Sequence, residues 1–233
     1  PWDKKQTIES LRHLTIEETY ELSESILKGD RNEIKQELGD ILLHIVFYSK
    51  IASEENAFDI KDVIEKLCEK LIYRHPHIFG EIKVIDESDV KKNWEALKLK
   101  EGKNNLLSGV PHSLPSLIKA HRVQEKASGV GFDWNTPEEV WLKVQEELNE
   151  LKVEIQKGNQ SKIEEEFGDL FFSMVNYARF LNIESDSALE KANQKFMKRL
   201  LFVENNALKT GKSINELDLS ELNNLWMEAK NYD

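Results

Sequence analysis

Cysteine is nearly absent. A single residue of this type, Cys68, in a chain of 233 excludes an intrachain disulfide framework and a cysteine-rich zinc site, and it points to a reducing compartment, with the cytoplasm as the expectation. Glycine and proline are scarce as well, at 10 and 5 residues, which argues against a loop-rich or all-β chain. Apolar runs are short: Ile41-Leu42-Leu43 already stops at His44, far below the ~20 residues a membrane-spanning helix needs. Positive charge is in deficit. Lys+Arg 32 against Asp+Glu 43 leaves a formal charge of −11, so nucleic acid polymers and anionic membranes are poor partners. What remains, 39% hydrophobic and 32% charged residues, describes a folded, helix-rich protein of one or two domains.

The chain repeats itself. Glu17-Glu18-Thr19-Tyr20-Glu21 returns as Glu146-Glu147-Leu148-Asn149-Glu150, an offset of 129 (146 − 17). At that offset Lys28-Gly29 becomes Lys157-Gly158, and Glu37-Leu38-Gly39-Asp40 becomes Glu166-Phe167-Gly168-Asp169. Further along, Lys70 and Arg74 answer to Lys195 and Arg199, and Trp94 and Lys98 to Trp226 and Lys230, with small loop insertions shifting the offset. Apolar residues fall at helical spacing, as in Ile34, Leu38, Ile41, Leu42 and Ile45, and no stretch alternates like a strand. Thr7 and Thr136 are expected helix caps, the latter followed by Pro137, Glu138 and Glu139. Gly29 and Gly158 are expected to end helices. The segment from Glu101 to Pro115, rich in Gly, Asn and Pro, reads as a linker, giving modules 1–105 and 106–233.

Within each module the acidic residues mirror one another about the glycine. Glu21 and Glu37 each lie 8 residues from Gly29, and Glu18 and Asp40 each lie 11 from it. Glu150 and Glu166, then Glu147 and Asp169, stand in the same relation to Gly158. An antiparallel helical hairpin about the glycine therefore sets Glu21 opposite Glu37 and Glu18 opposite Asp40, because residues three apart share a helix face. Four converging carboxylates repel unless a cation joins them. Single acidic residues on helices are mostly solvated, but two mirrored pairs, present twice and each beside a dense apolar run, are not explained that way. An all-oxygen donor set suits Mg²⁺ or Mn²⁺. A di-iron carboxylate bundle would place His three residues after a ligand Glu, where this chain has Asp40 and Asp169.

These residues resemble the MazG-type nucleoside triphosphate pyrophosphohydrolases, whose signature is Glu-Glu-x-x-Glu followed by Glu-x-x-Asp. The resemblance spans essentially the whole chain and includes Pro1-Trp2-Asp3, Arg74-His75-Pro76-His77, Gly131-Phe132-Asp133-Trp134 and Asn193-Gln194-Lys195-Phe196. It implies an all-α fold of two tandem helical-bundle modules, a homodimer, and Mg²⁺-dependent cleavage of ribo- and deoxynucleoside triphosphates to monophosphate and pyrophosphate, which cleans the nucleotide pool. By the same resemblance Glu147, Glu150, Glu166 and Asp169 are metal ligands, as are Glu18, Glu21, Glu37 and Asp40 in the first module. Lys143, Lys162, Lys195, Arg199 and Lys230 would contact phosphates, Trp226 would line the nucleotide site, and Glu146 or Glu165 would serve as base or orienting group. Members usually carry more residues before Pro-Trp-Asp, so further chain ahead of Pro1 is expected.

Phosphoanhydride cleavage calls for cations on the phosphates and an activated water, and the residues above supply both kinds of group. A nucleotide- or metal-sensing module without turnover is the alternative from another class; a plain dimerisation scaffold does not explain the mirrored carboxylates. Other motifs fail. Gly211-Lys212-Ser213 lacks the first glycine of a phosphate-binding loop, since position 206 is Asn206. His75 and His77 have no partners at metal-site spacing, and Cys68 is expected as a small core residue on an amphipathic stretch. The second module is expected to carry most of the catalysis, because Lys143 and Lys162 correspond to Leu14 and Glu33 in the first.

Overall fold

Each hairpin of the repeat is built from locally satisfied helix ends. In the first, α1 (Ile8–Lys28) starts at Thr7, whose hydroxyl accepts from the Ser10 amide while the Ser10 hydroxyl closes back on the Thr7 amide. It stops at Gly29, with φ of +73°, a left-handed turn that a side chain would strain. Asp30 then caps α2 (Arg31–Glu54) by accepting from the amides of Asn32 and Glu33. The second hairpin repeats the design: Thr136 caps α6 (Pro137–Lys157), Gly158 ends it at φ +71°, and Asn159 caps α7 (Gln160–Phe180). Both expected threonine caps and both glycine turns are present.

A computed structural model describes residues 1–80 and 106–232. Trp94 and Lys98 and the linker positions 101–105 lie outside the described residues. The chain divides into two compact units, Pro1–Asn104 and Asn105–Asp233. In unit 1, α1 packs along α2, followed by α3 (Ile60–Arg74) and the single turn α4 (Pro76–Phe79). In unit 2, α5 (Ser116–Ser128) lies on α7 and on α8 (Ser185–Lys209), α6 runs along α7, and α9 (Leu219–Ala229) closes against α8. The fold is all-α, with no strand among the described residues, and no described helix is long and apolar enough to cross a membrane.

Val140, Val144, Leu151, Val175, Val203 and Ala207 form the buried core of unit 2, whereas unit 1 fully buries Leu11 and Ala52. In the apolar run from Ile41 to Tyr48, Leu42, Leu43, Ile45 and Val46 are exposed in the single chain. One sequence expectation needs correction: Cys68 is exposed and not a core residue, because α3 presents that side to solvent instead of to α2.

Polar anchors fix the unit 2 hairpin. The Gln124 side-chain amide donates to the carbonyl of Phe172 at 2.8 Å, joining α5 to α7. Arg179 donates to Asp133 and to Asn176, so the loop entering α6 is tied to the end of α7.

Candidate functional site

The hairpin geometry delivers the carboxylates to one place in each unit. Glu18 and Glu21, on one face of α1, meet Glu37 from α2 with one oxygen from each within 4.8 Å of the others. Glu147 and Glu150 of α6 meet Glu166 of α7 in the same way. The convergence is of three groups, not four. Asp40 and Asp169 stand outside the tight set, since their side chains are one methylene shorter, yet they remain close enough to act on it electrostatically.

Electrostatics confirm the crowding. Burial raises the Glu37 carboxyl above the usual carboxylate range, and the negative charges of Glu21, Asp40 and Glu18 raise it further. Glu18 is raised by burial and by Glu21 and Asp40, with His44 opposing. Glu166 is raised by burial and then by Glu150, Asp169 and Glu147. Glu37 is only 8% exposed and its Oε2 has no hydrogen-bond partner among the described residues. An orphaned, buried carboxylate oxygen inside an all-oxygen cluster fits a hard divalent cation, for which such donors are suited.

One lysine contacts the unit 2 cluster, and a second pairs with the glutamate beside it. Lys143 Nζ lies 2.6 Å from Glu147 Oε1 and 2.8 Å from Glu146 Oε1, and Lys162 Nζ lies 2.6 Å from Glu165 Oε2. The hydrogen bonds from Glu146 and Glu147 hold the Lys143 ammonium well above its ordinary value, and Glu165 does the same for Lys162. Thus Glu146 and Glu165, the two expected base or orienting groups, each pair with an expected phosphate contact. Those pairings were legible at three- and four-residue spacing.

A second group forms between α8 and α9. Arg199 lies 5.7 Å from the centre of the Trp226 ring, and Phe196 packs on the same indole with ring centres 5.1 Å apart. Phe196, Leu200, Val203, Asn215, Asn223 and Trp226 line a cavity of about 550 Å³. Lys195 is exposed on α8, and Lys230 is exposed in the turn after α9. Asn215 and Asn223 carried no periodic or motif signature, so sequence reasoning missed them. A larger cavity of about 1110 Å³ runs along α3, past Phe58, Leu67, Lys70 and Tyr73, and includes none of the clustered carboxylates. Also unread in the sequence was a partly buried polar trio in unit 1, where Thr15 Oγ1 lies 2.8 Å from His44 Nδ1 and 2.6 Å from the Tyr48 hydroxyl.

The MazG nucleotide pyrophosphohydrolase domain profile matches twice, at residues 6–79 and 135–204, once over each hairpin. The chain is 46% identical, over its full length and 89% of the relative's, to the nucleoside triphosphate pyrophosphohydrolase/pyrophosphatase MazG of Thermotoga maritima. It is 39% identical to the nucleoside triphosphate pyrophosphohydrolase of Escherichia coli, across 99% of this chain and 90% of that one. It also shares 43% identity with the uncharacterised protein YabN of Bacillus subtilis, covering 48% of that longer protein. With both hairpins matched and two relatives aligned nearly end to end, the chain belongs to the MazG nucleotide pyrophosphohydrolase family.

Proposed function

We propose that this protein is a divalent-metal-dependent nucleoside triphosphate pyrophosphohydrolase, acting on ribo- and deoxynucleotides in nucleotide-pool housecleaning. The observation that carries the reading is the convergence of Glu147, Glu150 and Glu166 within 4.8 Å, with Lys143 paired to Glu147 and Lys162 to the neighbouring Glu165, in a chain of this family. Water adds to the α-phosphorus, the bond to the bridging oxygen breaks, and the products are a nucleoside monophosphate and pyrophosphate. Mg²⁺, or Mn²⁺ in its place, supplies charge neutralisation and water activation when bound. Glu147, Glu150 and Glu166 would hold it, with Asp169 drawn in. Lys143, Lys162, Lys195, Arg199 and Lys230 would bind the phosphates, as charge-assisted donors suit polyanionic oxygens. Glu146 or Glu165, released from its lysine when phosphate arrives, would orient the water or take its proton. The cavity beside Trp226 would receive the base.

The second module, residues 106–233 within unit 2, is the catalytic one in this reading, and the first module, residues 1–105, the less active one. A homodimer is supported by the apolar stripes Leu38, Leu42 and Val46 on α2 and Phe167, Phe171 and Met174 on α7, all about half exposed in the single chain. Light scattering on the purified protein tests it: a monomeric mass at micromolar concentration overturns the dimer. The lone thiol of Cys68 suits the reducing cytoplasm. Incubation with mixed triphosphates and Mg²⁺, followed by ion-exchange chromatography, tests the activity. Monophosphate and pyrophosphate should appear, and EDTA should stop the reaction. Diphosphate plus orthophosphate as first products, or full turnover in EDTA, overturns the assignment.

A further inference from the structure

The two acidic clusters share their backbone arithmetic but not their counter-ions. In unit 2, Lys143 sits one helical turn before Glu147 and reaches a carboxylate that is only 8% exposed. Its ammonium is held by one of the carboxylates a divalent cation would use. The corresponding residue in unit 1 is Leu14, and the counterpart of Lys162 is Glu33. Among the described residues no lysine or arginine pairs with Glu18, Glu21 or Glu37; Lys28, on the same hairpin, is engaged by Glu24 and Glu33. In addition, the Oε2 of Glu37 is buried with no partner, in a side chain belonging to a residue 8% exposed. Leaving a buried charged acceptor unsatisfied is costly, and native structures resolve such groups with a partner or an ion.

We propose that Glu18, Glu21 and Glu37 form a resident divalent-cation site that fills without nucleotide, whereas the cluster of Glu147, Glu150 and Glu166 carries Lys143 as its own counter-ion and takes a divalent cation only together with a triphosphate. The inference rests on the metal-site reading of both clusters given above. In unit 2 an incoming cation must displace an ammonium from Glu147. Without nucleotide that ammonium gives up the nearly buried Glu147 and keeps only the exposed Glu146; with a triphosphate present it moves to a phosphate oxygen, and the two binding events favour each other reciprocally. In unit 1 nothing has to be displaced, and the cation satisfies Glu37 on arrival. The two hairpins of one repeat have thereby diverged into a site that holds its ion and a site that loads it with substrate.

The test uses the full-length protein stripped of metal, Mn²⁺ as the probe, and titration by calorimetry and electron paramagnetic resonance with and without α,β-methylene-ATP, which resists cleavage at the scissile position. Mn²⁺ alone should bind the parent protein. This binding should vanish in Glu18→Gln/Glu37→Gln and persist in Glu147→Gln/Glu150→Gln. The analogue should recruit further Mn²⁺, and that recruitment should vanish in Glu147→Gln/Glu150→Gln. Two substitutions that leave every carboxylate in place supply the converse, and circular dichroism monitors their folding. Leu14→Lys should weaken nucleotide-free Mn²⁺ binding by roughly tenfold or more, and Lys143→Met should create a second nucleotide-free site, since each substitution adds or removes an ammonium beside a cluster carboxylate. Unchanged binding in both, or nucleotide-free binding that depends on Glu147 and Glu150, overturns the inference and leaves the metal-site reading standing. No Mn²⁺ binding with or without the analogue overturns both.

Discussion

Arg179 near the end of α7 donates a hydrogen bond to Asp133 in the loop before α6, joining residues 46 positions apart. The same guanidinium is held by Asn176 and lies 4.7 Å from the centre of the Phe180 ring. This anchor sets where α6 begins, and α6 carries Lys143, Glu147 and Glu150 towards α7.

Removing the anchor should destabilise unit 2. Burial alone would push the Asp133 carboxyl up, but hydrogen bonds from Arg179 and Ser128 and from the Trp134 amide outweigh it and hold the group below its ordinary 3.8. A depressed value means that the folded state favours the charged form. The stabilisation is complete above the ordinary value and is lost as pH falls through the lower, folded value. Arg179→Met should therefore cost about 1.5–3 kcal/mol at neutral pH, the range for a hydrogen bond to a charged group, and less in acid below that window. Urea melts of the parent and variant at both pH values check this; an equal difference at both removes the electrostatic account.

Glu150→Gln and Asp169→Asn should each lower turnover by about a hundredfold or more, since even groups behind a metal ligand cost 10- to 100-fold when changed. Metal-free thermal stability should stay level or rise. Each substitution removes a negative charge beside Glu166, whose carboxyl is raised first by burial and then by the charges of both neighbours. Melts that fall sharply while the folded remainder keeps its activity would make these carboxylates structural.

The glycine symmetry made the hairpins readable, because a left-handed helix stop is a local property that Gly29 and Gly158 carry in their own chemistry. The register across each hairpin followed from it, and so did the meeting of Glu21 with Glu37 and of Glu150 with Glu166. The exclusion of Asp40 and Asp169 from the tight set did not follow, because spacing counts residues and ignores a missing methylene. The exposure of Leu42 and Val46 was equally invisible: periodicity identifies an apolar face and says nothing of what covers it. Asn215 and Asn223 reach their cavity from a short 3-10 turn, Ile214–Glu216, and from the second turn of α9, which no repeat or motif announces.

The partly buried trio of unit 1 yields a non-additive prediction. Thr15 and His44 correspond to Val144 and Ser173 in unit 2. Thr15→Val alone leaves His44 Nδ1 and the Tyr48 hydroxyl without their shared partner, and should cost about 1–3 kcal/mol. Adding His44→Ser should recover part of that loss, since the second change removes one of the stranded groups. A double-mutant cycle by chemical denaturation measures the coupling, and strictly additive losses would separate Thr15 from His44 energetically.

Unit 2 should carry most of the catalysis although both units gather their carboxylates. Lys143 and Lys162 stand at the acidic cluster there, whereas Leu14 and Glu33 occupy those positions in unit 1, a loss of two positive charges and the gain of a negative one. Each charge-assisted contact to a polyphosphate is worth roughly 1.5–3 kcal/mol, so losing two weakens triphosphate binding by about two orders of magnitude or more. Arg12 and His13 lie next to Leu14 but are exposed on α1 and form no ion pair with the cluster among the described residues. Glu147→Gln/Glu150→Gln should then abolish triphosphate cleavage, while Glu18→Gln/Glu21→Gln should retain a measurable fraction of it. Pyrophosphate release at saturating substrate compares the two, with circular dichroism confirming equal helicity. Cleavage that survives in the first protein and disappears in the second would move the active centre to the hairpin of α1 and α2, and the lysines at 143 and 162 would need another role.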